Sequence, residues 1–274
     1  MSNYKIINSE VVNLYKKATF KSEIVSQGLI WEKVEVLDVK NNWYKIKQYD
    51  DYVSYIYKDF LIDSTVCFDN KLDYNSKWYF VKDRLVFINS LENNIAQEFV
   101  ENNKILSFGS LIPIVEEYDE NNYITLMPNG NKYIVNADSL ILLDHKKEFN
   151  DLIVLAMNNL GTPYFWGGKS GFGFDCSGFI QHLYRFYGVC LPRDCKDQVK
   201  SKYLICIKSD YQIGDLIYFY DSGLANHVGM FVNNHEFIHS SGCVKVNSIN
   251  KDSCKYNKSL NDFEFEVFRL NSNA

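Results

Sequence analysis

Three side chains in the C-terminal part of the chain could together perform nucleophilic catalysis: Cys176, His227 and His239. Cys176 stands in FDCSGF, just after the glycine-rich stretch FWGGKSGFG and just before an apolar periodic run. A thiolate is the attacking form of cysteine, so such a residue wants a base within hydrogen-bond reach and an orienting partner for that base. His227 in NHVGMFV and His239 in EFIHSSG flank a polar turn around Asn233–His235. If these segments pair as strands, His239 falls across from His227 or one diagonal step away, and the rings can meet on a shared face. The other histidines fit less well. His182 follows Cys176 by six residues, about 240° around a common helix. His235 sits at the turn's tip and His145 at a domain junction. The residue types therefore predict a Cys–His–His relay.

The elements that must hold these groups are legible around them. Asp175 is a good helix N-cap, and CSGFIQHLYRFYG places Phe179, Ile180, Leu183 and Tyr187 on one helical face before Gly188 closes it. Cys176 then lies in the first turn, where the helix dipole favours a thiolate. Upstream, KKEFNDLIVLAMNNLG puts Phe149, Leu152, Ile153, Ala156 and Leu160 on one face, with Gly161 as the stop. Downstream, GDLIYFY, HVGMFV, EFIHSSG and FEFEVFRL read as strands. Helices followed by an antiparallel sheet predict an α+β domain over residues 146–274. Residues 1–66 and 76–144 each carry short β-rich runs separated by turns, which predicts two small barrels. Both end on similar elements, DFLID and DSLIL, a hint of a degenerate repeat, and the polar stretch 64–77 reads as a linker.

Composition narrows the class. The 274 residues are 46% hydrophobic and 23% charged, enough for sizeable cores, and 20 Tyr with 19 Phe suit strands and a ligand gripped by packing. A net charge of −5 argues against nucleic acid as a partner. No apolar run reaches the roughly 18 residues of a membrane span. The start, MSNYKIINSEVV, lacks a secretory-signal profile, and seven cysteines at irregular spacing predict free thiols in a reducing, cytoplasmic compartment. No C-x-x-C pair suggests a metal site. Cys190, Cys195 and Cys206, with Cys67, Cys243 and Cys254, are expected to be packing residues.

The run GTPYFWGG…FDCSGFIQHLYRFYGVCLPRDCKDQ, followed by GDLIYF, HVGMFV and FIHSSG, resembles the NlpC-type cell-wall cysteine peptidases. The two β units resemble bacterial SH3-like domains. Their tandem arrangement is similar to that of the γ-D-glutamyl-L-diamino-acid endopeptidases that trim murein peptides. The resemblance implies a papain-like α+β catalytic core behind two small all-β SH3-like barrels, no cofactor, no metal, and a monomer acting on a murein peptide. It implies Cys176 as nucleophile, His227 as base, His239 as the orienting residue and Tyr164 near the oxyanion. It places Asp175, Ser177 and Trp166 against substrate, with the aspartate helping to hold a free L-Ala amino terminus while the first SH3-like domain caps the cleft. Cys195 stands where the family's PR-x-S motif expects a substrate-contacting serine, and a thiol is a weaker donor. Tyr55 occupies a Trp-like position, and with Glu23 it is expected to help close the amine pocket. Asp175 beside the thiol would raise its pKa unless matched, and the incoming ammonium is expected to supply that match. Three other functions stay open: an exported hydrolase of intact peptidoglycan, a catalytically weak wall-binding protein, and an acyltransferase.

Overall fold

The structure, a computed structural model, describes residues 3–63, 77–91, 103–144 and 148–271. His145, Cys67 and most of the expected linker lie outside those residues. The chain divides into two compact units, Met1–Lys146 with Ser170–Phe172, and Lys147–Lys169 with Gly173–Ala274.

The first unit contains two seven-stranded antiparallel sheets. One is built from β1 (Tyr4–Ile7), β2 (Val11–Tyr15), β3 (Ile24–Leu29), β4 (Lys33–Lys40), β5 (Trp43–Lys47), β6 (Val53–Tyr57) and β7 (Leu61–Asp63). The other uses β8 (Lys77–Val81), β9 (Leu85–Ser90), β10 (Asn103–Ser107), β11 (Leu111–Glu117), β12 (Asn122–Leu126), β13 (Lys132–Asn136) and β14 (Leu140–Leu142). Their strand orders are β3-β2-β6-β5-β4-β1-β7 and β10-β9-β13-β12-β11-β8-β14, the same topology displaced by seven strands. A single 3₁₀ turn precedes the last strand in each, at Lys58–Phe60 and Ala137–Ser139. The repeat hinted at by DFLID and DSLIL is thus a repeat of the whole unit.

Each sheet curls around its own apolar cluster. Ile7, Val12, Leu14, Val34, Ile46, Ile56 and Leu61 fill the first, drawn from six of its seven strands. Period-two alternation sends the neighbour of Ile7 the other way. Ile6, with Ile30 and Trp31, enters the second cluster alongside Val81, Ile88, Leu106, Ile112 and Val135. Trp31 Nε1 donates to the Leu126 carbonyl at 3.0 Å, and its ring meets Trp78 edge-on at 5.6 Å. Trp31 holds φ at 69°, a left-handed conformation that costs a bulky residue of order 1–3 kcal/mol unless the surroundings over-determine it. Here the ring's burial and its hydrogen bond do so. In the same unit, Tyr55 is half-buried on β6 opposite Lys45 and Tyr15, and Glu23 is exposed in an ion pair with Lys16 at 2.9 Å.

The second unit begins with α1 (Phe149–Met157), whose Glu148 and Asp151 form a capping box. The short ribbon β15 (Lys169–Ser170) and β16 (Gly173–Phe174) follows, then α2 (Cys176–Phe186) and the one-turn α3 (Cys195–Gln198). The remaining strands, β17 (Leu204–Ile207), β18 (Leu216–Asp221), β19 (Leu224–Phe231), β20 (Glu236–Ser241), β21 (Cys243–Ser248) and β22 (Glu264–Leu270), form one antiparallel sheet in the order β17-β22-β18-β19-β20-β21. A short α4 (Lys258–Asn261) precedes the last strand. α1 packs on α2, and α2 packs on β19 and β20. Both expected helices form, and Gly188 with positive φ follows the C-cap of α2, but α1 ends at Met157 with Asn158 as its C-cap, short of the expected Leu160 and Gly161. The α+β class holds. Among the described residues no helix is long and apolar enough to cross a membrane.

Candidate active site

Asp175 caps α2, its Oδ1 accepting the Gly178 amide at 2.7 Å, which sets Cys176 in the first turn. Glycine is required at 178, because a Cβ there would lie 2.3 Å from the Gly168 carbonyl oxygen. Opposite, β19 and β20 pair with Gly229 against His239, so His227 stands one diagonal step from His239. The ring nitrogens Nε2 of His227 and Nδ1 of His239 meet at 2.7 Å. A bulge helps to aim this strand. Phe219 faces His227 and Tyr220 faces Ala225, leaving Asn226 as the extra residue, and its carbonyl oxygen comes 3.9 Å from Cys176 Sγ.

The hydrogen bonds run in one direction. Asn247 Nδ2 donates to the Lys255 backbone carbonyl at 2.9 Å, which fixes the amide so that Oδ1 turns toward His239. Oδ1 lies 2.8 Å from His239 Nε2. An amide oxygen only accepts, so His239 carries its proton on Nε2 and presents a bare Nδ1. His227 Nε2–H must then donate to His239, and His227 Nδ1 is left to take the thiol proton. His239 is fully buried. Burial, reinforced by the nearby His227, pushes its pKa down to about 3 against an opposing contribution from Asn247, so it stays neutral.

Cys176 and Cys195 form a buried pair with Sγ–Sγ at 3.8 Å. Cys176 is held below the ordinary thiol range, first by the hydrogen bond from Cys195 and then by His227, against burial and the Asp175 charge. Cys195 is raised first by that same hydrogen bond with Cys176, then by its own burial and by the charge of Cys176. Tyr164 is half-buried, and burial with the charges of Cys176 and Asp175 raises its phenol, keeping it a donor.

Two expectations are corrected. Asp175 has its counter-charge inside the protein: Arg193 Nη1 and Nη2 donate to its two carboxylate oxygens at 3.0 and 2.5 Å, and the Gly167 amide donates at 3.0 Å. Arg193 also donates to Ser177 Oγ at 3.0 Å. The arginine is 2% exposed. An incoming ammonium is therefore not needed to match the carboxylate. Among the cysteines, Cys190, Cys206 and Cys254 are exposed rather than packed, and Cys195 packs against Cys176. Trp166 is exposed, His182 is buried within α2, and His235 is half-buried at the hairpin turn. Among the described residues no group of three or more His, Cys, Asp and Glu side chains is placed to hold a metal.

Arg193 and Asn247 escaped the sequence reading. The need for a buried cation follows only from the burial of the Asp175 carboxylate, which the structure shows and the one-faced periodicity of the helix did not. Asn247 had no signal, since asparagine recurs throughout this chain.

Comparison with known proteins matches residues 161–260 to the NlpC/P60 family and residues 10–62 to the bacterial SH3 domain. Two proteins named gamma-D-glutamyl-L-lysine dipeptidyl-peptidase are similar, 37% identical over 114 residues in Bacillus subtilis and 36% over 126 in Bacillus cereus. Those alignments cover 40% and 43% of this chain, and the chain spans only 38% of the length of each relative. The murein DD-endopeptidase MepH of Escherichia coli is 34% identical over 132 residues, 43% of this chain and 49% of that protein. A crystal structure of an NlpC/P60 family protein from Bacillus cereus shares the fold with a TM-score of 0.82 at 21% identity, over 97% of this chain and 99% of that one.

Proposed function

Residues 161–260 form an NlpC/P60 domain and residues 10–62 a bacterial SH3 domain, and on that footing we propose that the protein is a cysteine endopeptidase cutting the γ-D-glutamyl–diamino acid bond of murein peptides. The observation that carries the reading is the one-way chain from Cys176 through His227 and His239 to Asn247. It supplies a nucleophile, a base with a committed tautomer, and an orienting residue that adds no charge. The names of two Bacillus relatives, gamma-D-glutamyl-L-lysine dipeptidyl-peptidase, support this choice of bond, and release of an amino-terminal dipeptide would call for a free amino terminus.

In this mechanism His227 Nδ1 holds the proton given up by Cys176. The thiolate attacks the γ-carbonyl carbon of D-Glu, and the carbonyl oxygen gains the negative charge. The Cys176 amide opens α2, where no carbonyl of the preceding turn can take it, and it faces the oxyanion together with the Tyr164 hydroxyl. His227 then donates its proton to the leaving amine, the C–N bond breaks, and a thioester remains. Water adds to the thioester with His227 as base, and Cys176 leaves as thiolate. Ser177 and Asp175, braced by Arg193, shape the site on the amino-terminal side of the substrate.

The test is mass-spectrometric product analysis with L-Ala-γ-D-Glu-L-Lys and its N-acetylated form. The expected result is cleavage of the free peptide alone, lost in Cys176→Ala. Equal cleavage of both forms would transfer the assignment to a hydrolase of intact wall, and cleavage of neither would remove the peptidase reading.

A further inference from the structure

We propose that Cys176 and Cys195 form an oxidation site at which a hydroperoxide converts the two thiols into a reversible intramolecular disulfide. The proposal stands on the thiol pair and is independent of which peptide the enzyme cuts.

The sulfurs are already in contact at 3.8 Å, with both residues less than 8% exposed, so neither has to be brought out of the fold to find the other. A disulfide needs about 2.05 Å, a further approach of roughly 1.8 Å. Cys195 is placed to make that movement. It begins a single-turn helix, Cys195–Gln198, whose N-cap Asp194 makes no side-chain capping hydrogen bond. Cys176, by contrast, is fixed at the start of the eleven-residue α2. The two thiols also divide the roles that oxidation chemistry assigns. Cys176 carries the thiolate character that reacts with a peroxide, and Cys195, still protonated, is the resolving thiol beside it.

The steps balance. The Cys176 thiolate sulfur attacks the terminal oxygen of a hydroperoxide, an S–O bond forms, the O–O bond breaks, and the alkoxide or hydroxide leaves and takes up the proton held by His227. Sulfur has given up two electrons and the peroxide has accepted them. The Cys195 sulfur then attacks Cys176 Sγ. The S–S bond forms, the S–O bond breaks, and the hydroxyl leaves as water with the Cys195 proton. Two thiols and one hydroperoxide yield one disulfide, one alcohol or water, and one water. Without the second thiol, the sulfenic acid would remain open to further, irreversible oxidation.

The experiment uses the reduced full-length protein and hydrogen peroxide in slight molar excess, followed by alkylation of free thiols and peptide mapping by mass spectrometry. The expected product has lost two hydrogens and contains a peptide pair joining Cys176 to Cys195, and dithiothreitol restores both thiols. Cys195→Ser and Cys195→Ala should instead accumulate dithiothreitol-resistant sulfinic acid on Cys176. The readout is mass, so a failure of the proposed peptidase activity would not affect it, and the wild-type map stands even if a variant folds poorly. The proposal is overturned if wild type accumulates the same resistant oxidation at Cys176, if the cross-link joins other cysteines, or if Cys176 stays reduced while the exposed Cys190, Cys206 and Cys254 react.

Discussion

At the scale of single residues, the least expected group is Asn247. It touches neither the thiol nor the base, yet it decides which nitrogen of each imidazole carries a proton. Asn247→Ala should lower kcat about tenfold or more while leaving KM within a factor of two, because it removes orientation and not a substrate contact. Asn247→Asp should do something different. A carboxylate there favours His239 imidazolium, whose protonated Nδ1 can no longer accept from His227, so the acid limb of the kcat profile should move to higher pH. An unmoved limb would remove Asn247 from the relay. His239 also ties stability to acidity. Unfolded, it takes up a proton below about pH 6.5, while folded it resists protonation down to about 3, so its contribution is lost as pH falls through that window. Chemical denaturation between pH 7 and 4 should show a shallower loss in His239→Asn than in wild type. Cys176 and the two histidines were legible because few residue types do this chemistry and their neighbours marked a helix start and a hairpin. Asn247 was not, because an amide's role depends on what it faces.

The elements impose their own conditions on that relay. Gly229 is the cross-strand partner of His239, and a Cβ at 229 would come 2.7 Å from the Phe237 ring and 3.2 Å from His239 Cβ. Gly229→Ala should therefore displace β20 against β19 and cost activity more than stability, which kcat and a melting curve measured side by side will separate. Arg193 sets a second condition, because it neutralises the carboxylate that caps α2. Arg193→Met leaves a buried charge unpaired and should destabilise by about 3–5 kcal/mol, whereas adding Asp175→Asn should recover much of the loss. Arg193→Lys should rescue poorly, since a point charge cannot reproduce the two-pronged contact. If the double variant is no more stable than Arg193→Met in a denaturant titration, the pair is not coupled as described. The periodicity of helices and strands was readable in advance. The bulge at Asn226 and the diagonal register of the histidines were not, because both depend on where β18 and β20 settle against β19.

At the scale of the molecule, the two sheets of the first unit repeat one topology but do not keep separate cores. Alternation along β1 and the left-handed turn at Trp31 carry Ile6, Ile30 and Trp31 into the cluster of the second sheet. The repeat could be suspected from DFLID and DSLIL, but this exchange could not, since Ile6 and Trp31 read in sequence as ordinary members of the first half. Ile88→Ala, within the second cluster, should cost about 2–5 kcal/mol. Hydrogen exchange should show that loss at the Ile46 and Ile56 amides of the first sheet as well, and unchanged protection there would mean the halves open independently. The shared cluster has a further consequence during synthesis. The first sheet's last strand ends at Asp63, but Trp78 and Leu126, which meet the Trp31 ring and its Nε1–H, are made later. At about 5–20 residues per second the nascent chain spends on the order of ten seconds with a finished sheet and an uncovered indole. During that interval the indole is open to contacts that the folded protein excludes.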